Sequence, residues 1–148
     1  MDAKNRFHTP ETWLWTRIEY VGIMLALSLL VALHLSEVRW GRFIFAFAII
    51  DVIGYVPGAI AYKRQGGGPI APIYHHLYNI THSFVTGGVA IALWAFAGGG
   101  PEWAMLAIPI HYLGDRGIFG NTYKPLSLAF EPETRHDVAD GAIEGVSR

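Results

Sequence analysis

Four apolar stretches constrain this chain more than any other feature. They are residues 12–35 ("TWLWTRIEYVGIMLALSLLVALHL"), about 41–62 ("GRFIFAFAIIDVIGYVPGAIAY"), about 74–97, and 101–119 ("PEWAMLAIPIHYLGDRGIF"). Each has close to the roughly 20 residues with which a helix crosses a bilayer's hydrocarbon. Backbone N–H and C=O groups have no water to bind there, so each stretch is expected to be helical. Only 16% of the 148 residues are charged, too few to coat a soluble globule. The expected fold is an all-α integral membrane four-helix bundle. A cytoplasmic N-terminal segment (1–11) precedes a transmembrane domain (12–122), and a polar cytoplasmic tail (123–148) follows, its last 18 residues (131–148) read as solvated or bound to a partner. The first stretch is too long for a signal peptide and lacks a small-residue cleavage site.

Charge placement gives an orientation. With four spans, nine of the eleven Lys and Arg residues fall on the side of both termini. Only Arg39 and Arg42 fall on the other. Cytoplasmic loops are the ones enriched in Lys and Arg, so both termini are expected in the cytoplasm of a bacterium, with the chain multi-pass in the inner membrane. A net charge of −1 gives no footprint for nucleic acid. The absence of cysteine excludes disulfides, thiolate metal sites and cysteine nucleophiles.

The polar residues inside the stretches carry the functional signal. At about 1.5 Å per residue, Glu19 lies roughly 10 Å deep, Asp51 roughly 15 Å, His82 and His111 roughly 12 Å, and Asp115 roughly 6 Å, all from the same side. His111 and Asp115 are one helical turn apart and can address one object. His75, Asn79 and His82 form a stripe on the third stretch. Ionisable residues at such depth are costly and usually face the bundle interior. Imidazole and carboxylate together are the ligand set of zinc and iron sites in helical bundles. The expected metal ligands are His82, His111, Asp115 and His75, with Asp51 and Glu19 as catalytic carboxylates.

Three functions fit these residues. One is a metal-dependent enzyme, hydrolytic or oxidative, acting on a membrane lipid or other amphiphile that arrives from the cytoplasmic leaflet. Arg116, Lys124, Tyr78 and Asn79 would contact that substrate. The second is a non-catalytic subunit of a larger membrane complex, or a homo-oligomer, in which the polar groups only lock helices together. The third is a proton or ion path, which the apolar far half of the stretches disfavours. Pro57 and Pro109 each remove a helix hydrogen bond. Kinks there would open a cavity beside Asp51 and His111. Trp13, Trp15, Trp40 and Trp103 suit interface anchoring.

The motifs also occur in a recognisable order. Arg17 and Glu19 in "RIEYVGIML", Asp51, Gly54 and Tyr55 in "FAIIDVIGYVPG", Tyr78, Asn79 and His82 in "YHHLYNITHSFV", and His111, Asp115 and Arg116 in "HYLGDRGIFG" resemble the small four-helix bacterial membrane proteins grouped as domain of unknown function 4260. The likeness covers roughly residues 16–125 and implies that fold, but no activity. Beyond Arg116 the chain reads "GIFGNTYKP", where that family tends to continue with a Gly-Tyr-Gly-Leu-Lys-like run. A weaker likeness, through "HLYNITHS", is to membrane-bound metal-dependent hydrolases. Their His-x4-His-Ser element is one residue shorter than the His76 to His82 spacing.

Overall fold

A computed structural model describes residues 9–131. Residues 1–8 and 132–148, with His8, His136 and most of the expected polar tail, lie outside the described residues. Every regular element described is helical: α1 (Pro10–Leu33), α2 (Trp40–Gly54), α3 (Val56–Arg64), α4 (Pro72–Thr81), α5 (Phe84–Gly98) and α6 (Ala107–Gly114). A 3-10 turn (Trp103–Leu106) enters α6 and a π turn (Asp115–Phe119) leaves it.

The helix starts follow local chemistry. Thr9 caps α1: its hydroxyl accepts from the Thr12 N–H at 3.2 Å, while the Thr12 hydroxyl accepts from the Thr9 N–H at 2.9 Å. Two of the donors that a helix N-terminus leaves unpaired are satisfied by this reciprocal arrangement. Pro57 falls at the start of α3, and Pro109 in the first turn of α6. A missing N–H costs little in a first turn, and Pro57 follows directly on the break at Tyr55 between α2 and α3.

Two helices are long and apolar enough to cross a membrane. They are Glu11–Leu33 and the joined pair α2–α3, Trp40–Arg64. The third expected span is broken: α4 and α5 meet at 55° across His82 and Ser83, and count as one span only if taken together. The fourth, 101–119, holds no helix of spanning length, because its pitch changes from 3-10 to α to π.

Exposure is inverted relative to a soluble protein. Leu14, Ile23, Leu29, Phe45, Val85 and Phe96 face outward, whereas His75, His82, His111 and Arg116 are buried. Such a distribution is the one that a hydrocarbon environment would favour. A small core of Ala46, Ile50, Ala107, Ile108 and Tyr112 joins α2 to α6.

Close backbone approach sets the rest. A Cβ at Gly54 would collide with the Thr81 hydroxyl, and one at Gly58 with the Phe130 ring. This small-x-x-x-small pair brings α4 and the segment after the π turn against α2–α3. A Cβ at Gly117 would lie 2.8 Å from Val21 Cγ2, so the π turn sits directly on α1. Arg17 of α1 donates to the carbonyls of Gly117 at 2.8 Å and Ile118 at 2.6 Å. It thereby serves carbonyls that the helix end leaves without intrahelical partners.

Residues 123–131 do not run out as a solvated tail. The Asn79 side chain clamps Lys124, donating to its carbonyl at 2.9 Å and accepting from its N–H at 2.7 Å. Phe130 is fully buried, with its ring near those of His75, Tyr78 and Tyr55. The first part of the expected tail thus forms a strap to residue 131 that packs against α3 and α4.

Candidate metal centre

Three helical elements and one helix break converge on a point. Asp51 projects from α2, His82 occupies the break between α4 and α5, His111 lies on α6, and Asp115 opens the π turn. His82 Nε2 is 3.2 Å from Asp51 Oδ1 and 3.3 Å from Asp115 Oδ2. His111 Nε2 is 3.6 Å and 3.5 Å from the same two oxygens. Ligand atoms of Asp51, His82 and His111 all lie within 4.8 Å of one another, close enough to hold a metal ion. Both imidazoles are buried. The Asp115 side chain is 18% exposed and that of Asp51 44%, so Asp51 stands on the open side.

Protein outside the cluster fixes His82. Its Nδ1 donates to the Tyr78 carbonyl at 3.0 Å. Nε2 is thereby turned to the carboxylates, where it donates to Asp51 Oδ1 at 3.2 Å, and a metal ion there would take that proton's place. The Thr81 hydroxyl, 3.0 Å from the same Nδ1, donates to the Leu77 carbonyl. The Tyr78 ring stacks on the imidazole at 3.9 Å and 13°. Phe47 meets the His111 ring edge-on at 4.7 Å, Nε2 faces both carboxylate oxygens, and Nδ1 has no hydrogen-bond partner. A cation between Nε2 and the two carboxylate oxygens would be held by all three.

Charge balance points the same way. With both imidazoles neutral, Asp51 and Asp115 place two negative charges around two nitrogens. No Lys or Arg forms an ion pair with either carboxylate among the described residues. Such a site calls for protons or for a divalent cation. Two imidazoles and two carboxylates with an open side suit the second, as ligand types for zinc or iron(II).

The helix break that presents His82 has its own supports. The carbonyls of Thr81 and His82 are turned out of helical pairing. Tyr112 donates its hydroxyl to the first at 2.7 Å, and Arg116 donates to the second at 3.2 Å. Ser83 caps α5, its hydroxyl accepting from the Val85 N–H at 3.2 Å. Tyr112 and Arg116 are four apart, as are His111 and Asp115. One face of "HYLGDR" thus supplies a nitrogen and a carboxylate, and the neighbouring face holds the break. Tyr112 and Thr81 were absent from the sequence expectations, though the spacing of Tyr112 and Arg116 was visible.

Several expected site residues lie elsewhere. Glu19 is exposed on α1, apart from the cluster. His75 is buried but approaches the Leu128 carbonyl at 3.3 Å and the Phe130 ring at 5.3 Å, so it belongs to the strap. Arg116 is buried under Phe84, 4.2 Å from its ring centroid, and serves the His82 carbonyl. The Lys124 ammonium donates to the Phe130 carbonyl and reaches Glu131 at 3.4 Å. Neither cation is free for a substrate anion. Asn79 is committed to the strap, and Tyr78 to stacking on His82. Of the residues expected to act together, the structure gathers Asp51, His82, His111 and Asp115.

No family model, curated protein or solved structure matches the chain.

Proposed function

We propose that this chain is a multi-pass protein of the bacterial inner membrane, with both termini cytoplasmic, in the manner of the domain of unknown function 4260 proteins. Its His/Asp cluster binds one divalent metal, zinc or iron, and catalyses hydrolysis of a lipid or other amphiphile. The observation that carries this reading is the buried approach of His82 Nε2 and His111 Nε2 to Asp51 Oδ1 and Asp115 Oδ2, all at 3.2–3.6 Å.

In this reading His82, His111 and Asp115 hold the ion. The Nδ1 bond of His82 to the Tyr78 carbonyl keeps its Nε2 aimed inward. A bound divalent metal lowers the pKa of a water toward neutrality. Asp51, the most exposed member, stands where a proton from that side can be taken up. Tyr78 above and Phe47 beside the imidazoles keep bulk water from them. The test is metal analysis of the purified protein and of His82→Ala and His111→Ala. Near-stoichiometric zinc or iron in the wild type, lost in both variants, is the expected result. Equal and negligible metal in all three ends this reading.

One observation favours a second reading, that of a non-catalytic subunit in a larger membrane complex. Glu19 is an exposed carboxylate within the candidate span Glu11–Leu33. A carboxylate facing lipid costs about 2.5–3.5 kcal/mol near a helix centre, so a partner cation would suit it. Cross-linking from position 19 in native membranes distinguishes a partner chain from lipid.

A further inference from the structure

Away from the metal cluster, α2 and α5 stand apart and leave a groove of about 460 Å³ floored by α6. Its walls include Ile49 and Ile53 on α2 and Ala90 on α5, with Ile108 beneath. Arg42 marks one end and Thr81 the other. From Arg42 to Ile53 the groove follows α2 for about 16 Å at about 1.5 Å per residue. That matches one leaflet, half of the roughly 30 Å hydrocarbon thickness.

At the Arg42 end the groove meets a polar cavity of about 130 Å³, which shares Arg42 and Trp94 and adds Arg39 and Glu102. Glu102 is held by Arg39 at 3.2 Å and Arg42 at 2.9 Å. Two guanidiniums against one carboxylate leave a net positive charge. Both guanidinium side chains are more than half exposed. Guanidiniums pair with carboxylates through parallel N–H donors. A cavity this small takes a compact anion, and the groove takes one chain.

We propose that this joined site binds a single-chain fatty acid, with its carboxylate at Arg39 and Arg42 and its chain between α2 and α5. The chain's far end lies at Thr81 and Tyr112. Thr81 Oγ1 is 3.0 Å from His82 Nδ1, so the chain ends beside the cluster's supporting residues. As a substrate site this rests on the metal-enzyme reading above; as a binding site it stands on the groove and its charge alone. The headgroup lies at the end of the α1–α2 connection, opposite the leaflet expected from the sequence.

The experiment uses the full chain in phosphatidylcholine nanodiscs, labelled with a diazirine analogue of palmitate and mapped by peptide mass spectrometry. Labelling concentrated on α2 and α5, and displaced by palmitate, is the expected result. Ala90→Phe fills the groove from an exposed position and should weaken labelling about tenfold or more, equivalent to at least about 1.4 kcal/mol. Arg42→Gln should weaken competition by palmitate but not by hexadecanol. Labelling spread evenly over lipid-facing helices and unchanged in Ala90→Phe overturns the proposal. So does equal competition by palmitate and hexadecanol in the wild type. Metal content is read in parallel: a wild type without metal but with groove-specific labelling sinks the enzyme reading and leaves the fatty-acid site standing.

Discussion

Arg116 donates to the carbonyl of His82 across 3.2 Å, joining the π turn to the break between α4 and α5. The bond explains how a histidine in an apolar stretch can leave the helical path without stranding its own backbone. In hydrocarbon a carbonyl turned out of a helix needs a donor from elsewhere in the protein. A guanidinium under the Phe84 ring supplies it, with the charge shared over a second aromatic face at Tyr123, 5.4 Å away.

Arg116→Gln should therefore weaken the fold and the metal site together. A hydrogen bond from a charged donor contributes about 1.5–3 kcal/mol, and a loss of that size is expected in the unfolding free energy in detergent. Metal affinity should fall in the same variant although Arg116 is not a ligand, because His82 would lose its fixed position. Arg116→Lys keeps a donor but not the planar fork, and should fall between the two. Unfolding curves and metal titration on the three proteins check this. Unchanged metal affinity in a measurably destabilised Arg116→Gln protein would separate the break from the site.

The close approach of α2 to α4 makes a second expectation, with opposite signs at two glycines. At Gly54 a Cβ meets the Thr81 hydroxyl and lies 3.2 Å from His82 Cε1. Overpacking of this kind typically costs about 1–3 kcal/mol, and here it pushes directly on a histidine of the candidate metal centre. Gly88 lies within α5 and a Cβ there has nothing within 4 Å. Gly88→Ala should stabilise by about 0.5–1 kcal/mol, the ordinary helix gain over glycine. Thermal unfolding of Gly54→Ala and Gly88→Ala, with metal content for each, tests both signs.

The helical class and the His111–Asp115 pair were legible in the sequence, because both depend on spacing within one segment. The long apolar run of α1 and the four-residue interval from His111 to Asp115 carry through directly. Glu19 shows where such reasoning overreached. Arg17 and Glu19 are two apart on α1, and residues at that interval do not share a helix face. Since Arg17 faces the π turn, Glu19 faces away, and depth alone could not bring it to the cluster. The break at His82 had no local mark, since "NITHSFV" contains neither proline nor glycine. It is set by Tyr112 and Arg116, about thirty positions onward, which take the freed carbonyls. The pitch changes in 101–119 are likewise tertiary: the π turn is shaped by Gly117 against Val21 and by Arg17 on its carbonyls. Arg116 and Lys124 read as free cations because sequence shows charge but not who already holds it.

Lys124 gives the pH dependence with a definite sign. Burial pushes its ammonium below the ordinary value of 10.5, with Glu131 opposing the shift. The charge sits among the rings of Phe130, Tyr78 and Tyr55. Between its folded value and 10.5, the unfolded chain binds more protons than the folded one, so stability rises with pH through that window. Below the window both states are protonated and the desolvation cost is constant. The strap should thus hold more firmly as pH climbs toward 10.5, and Lys124→Met should remove that part of the slope. Denaturant midpoints of both proteins, measured at several values from pH 8 to 10.5, isolate the contribution as their difference. A wild-type midpoint that rises no more steeply than that of Lys124→Met would mean that the ammonium is not desolvated by the strap.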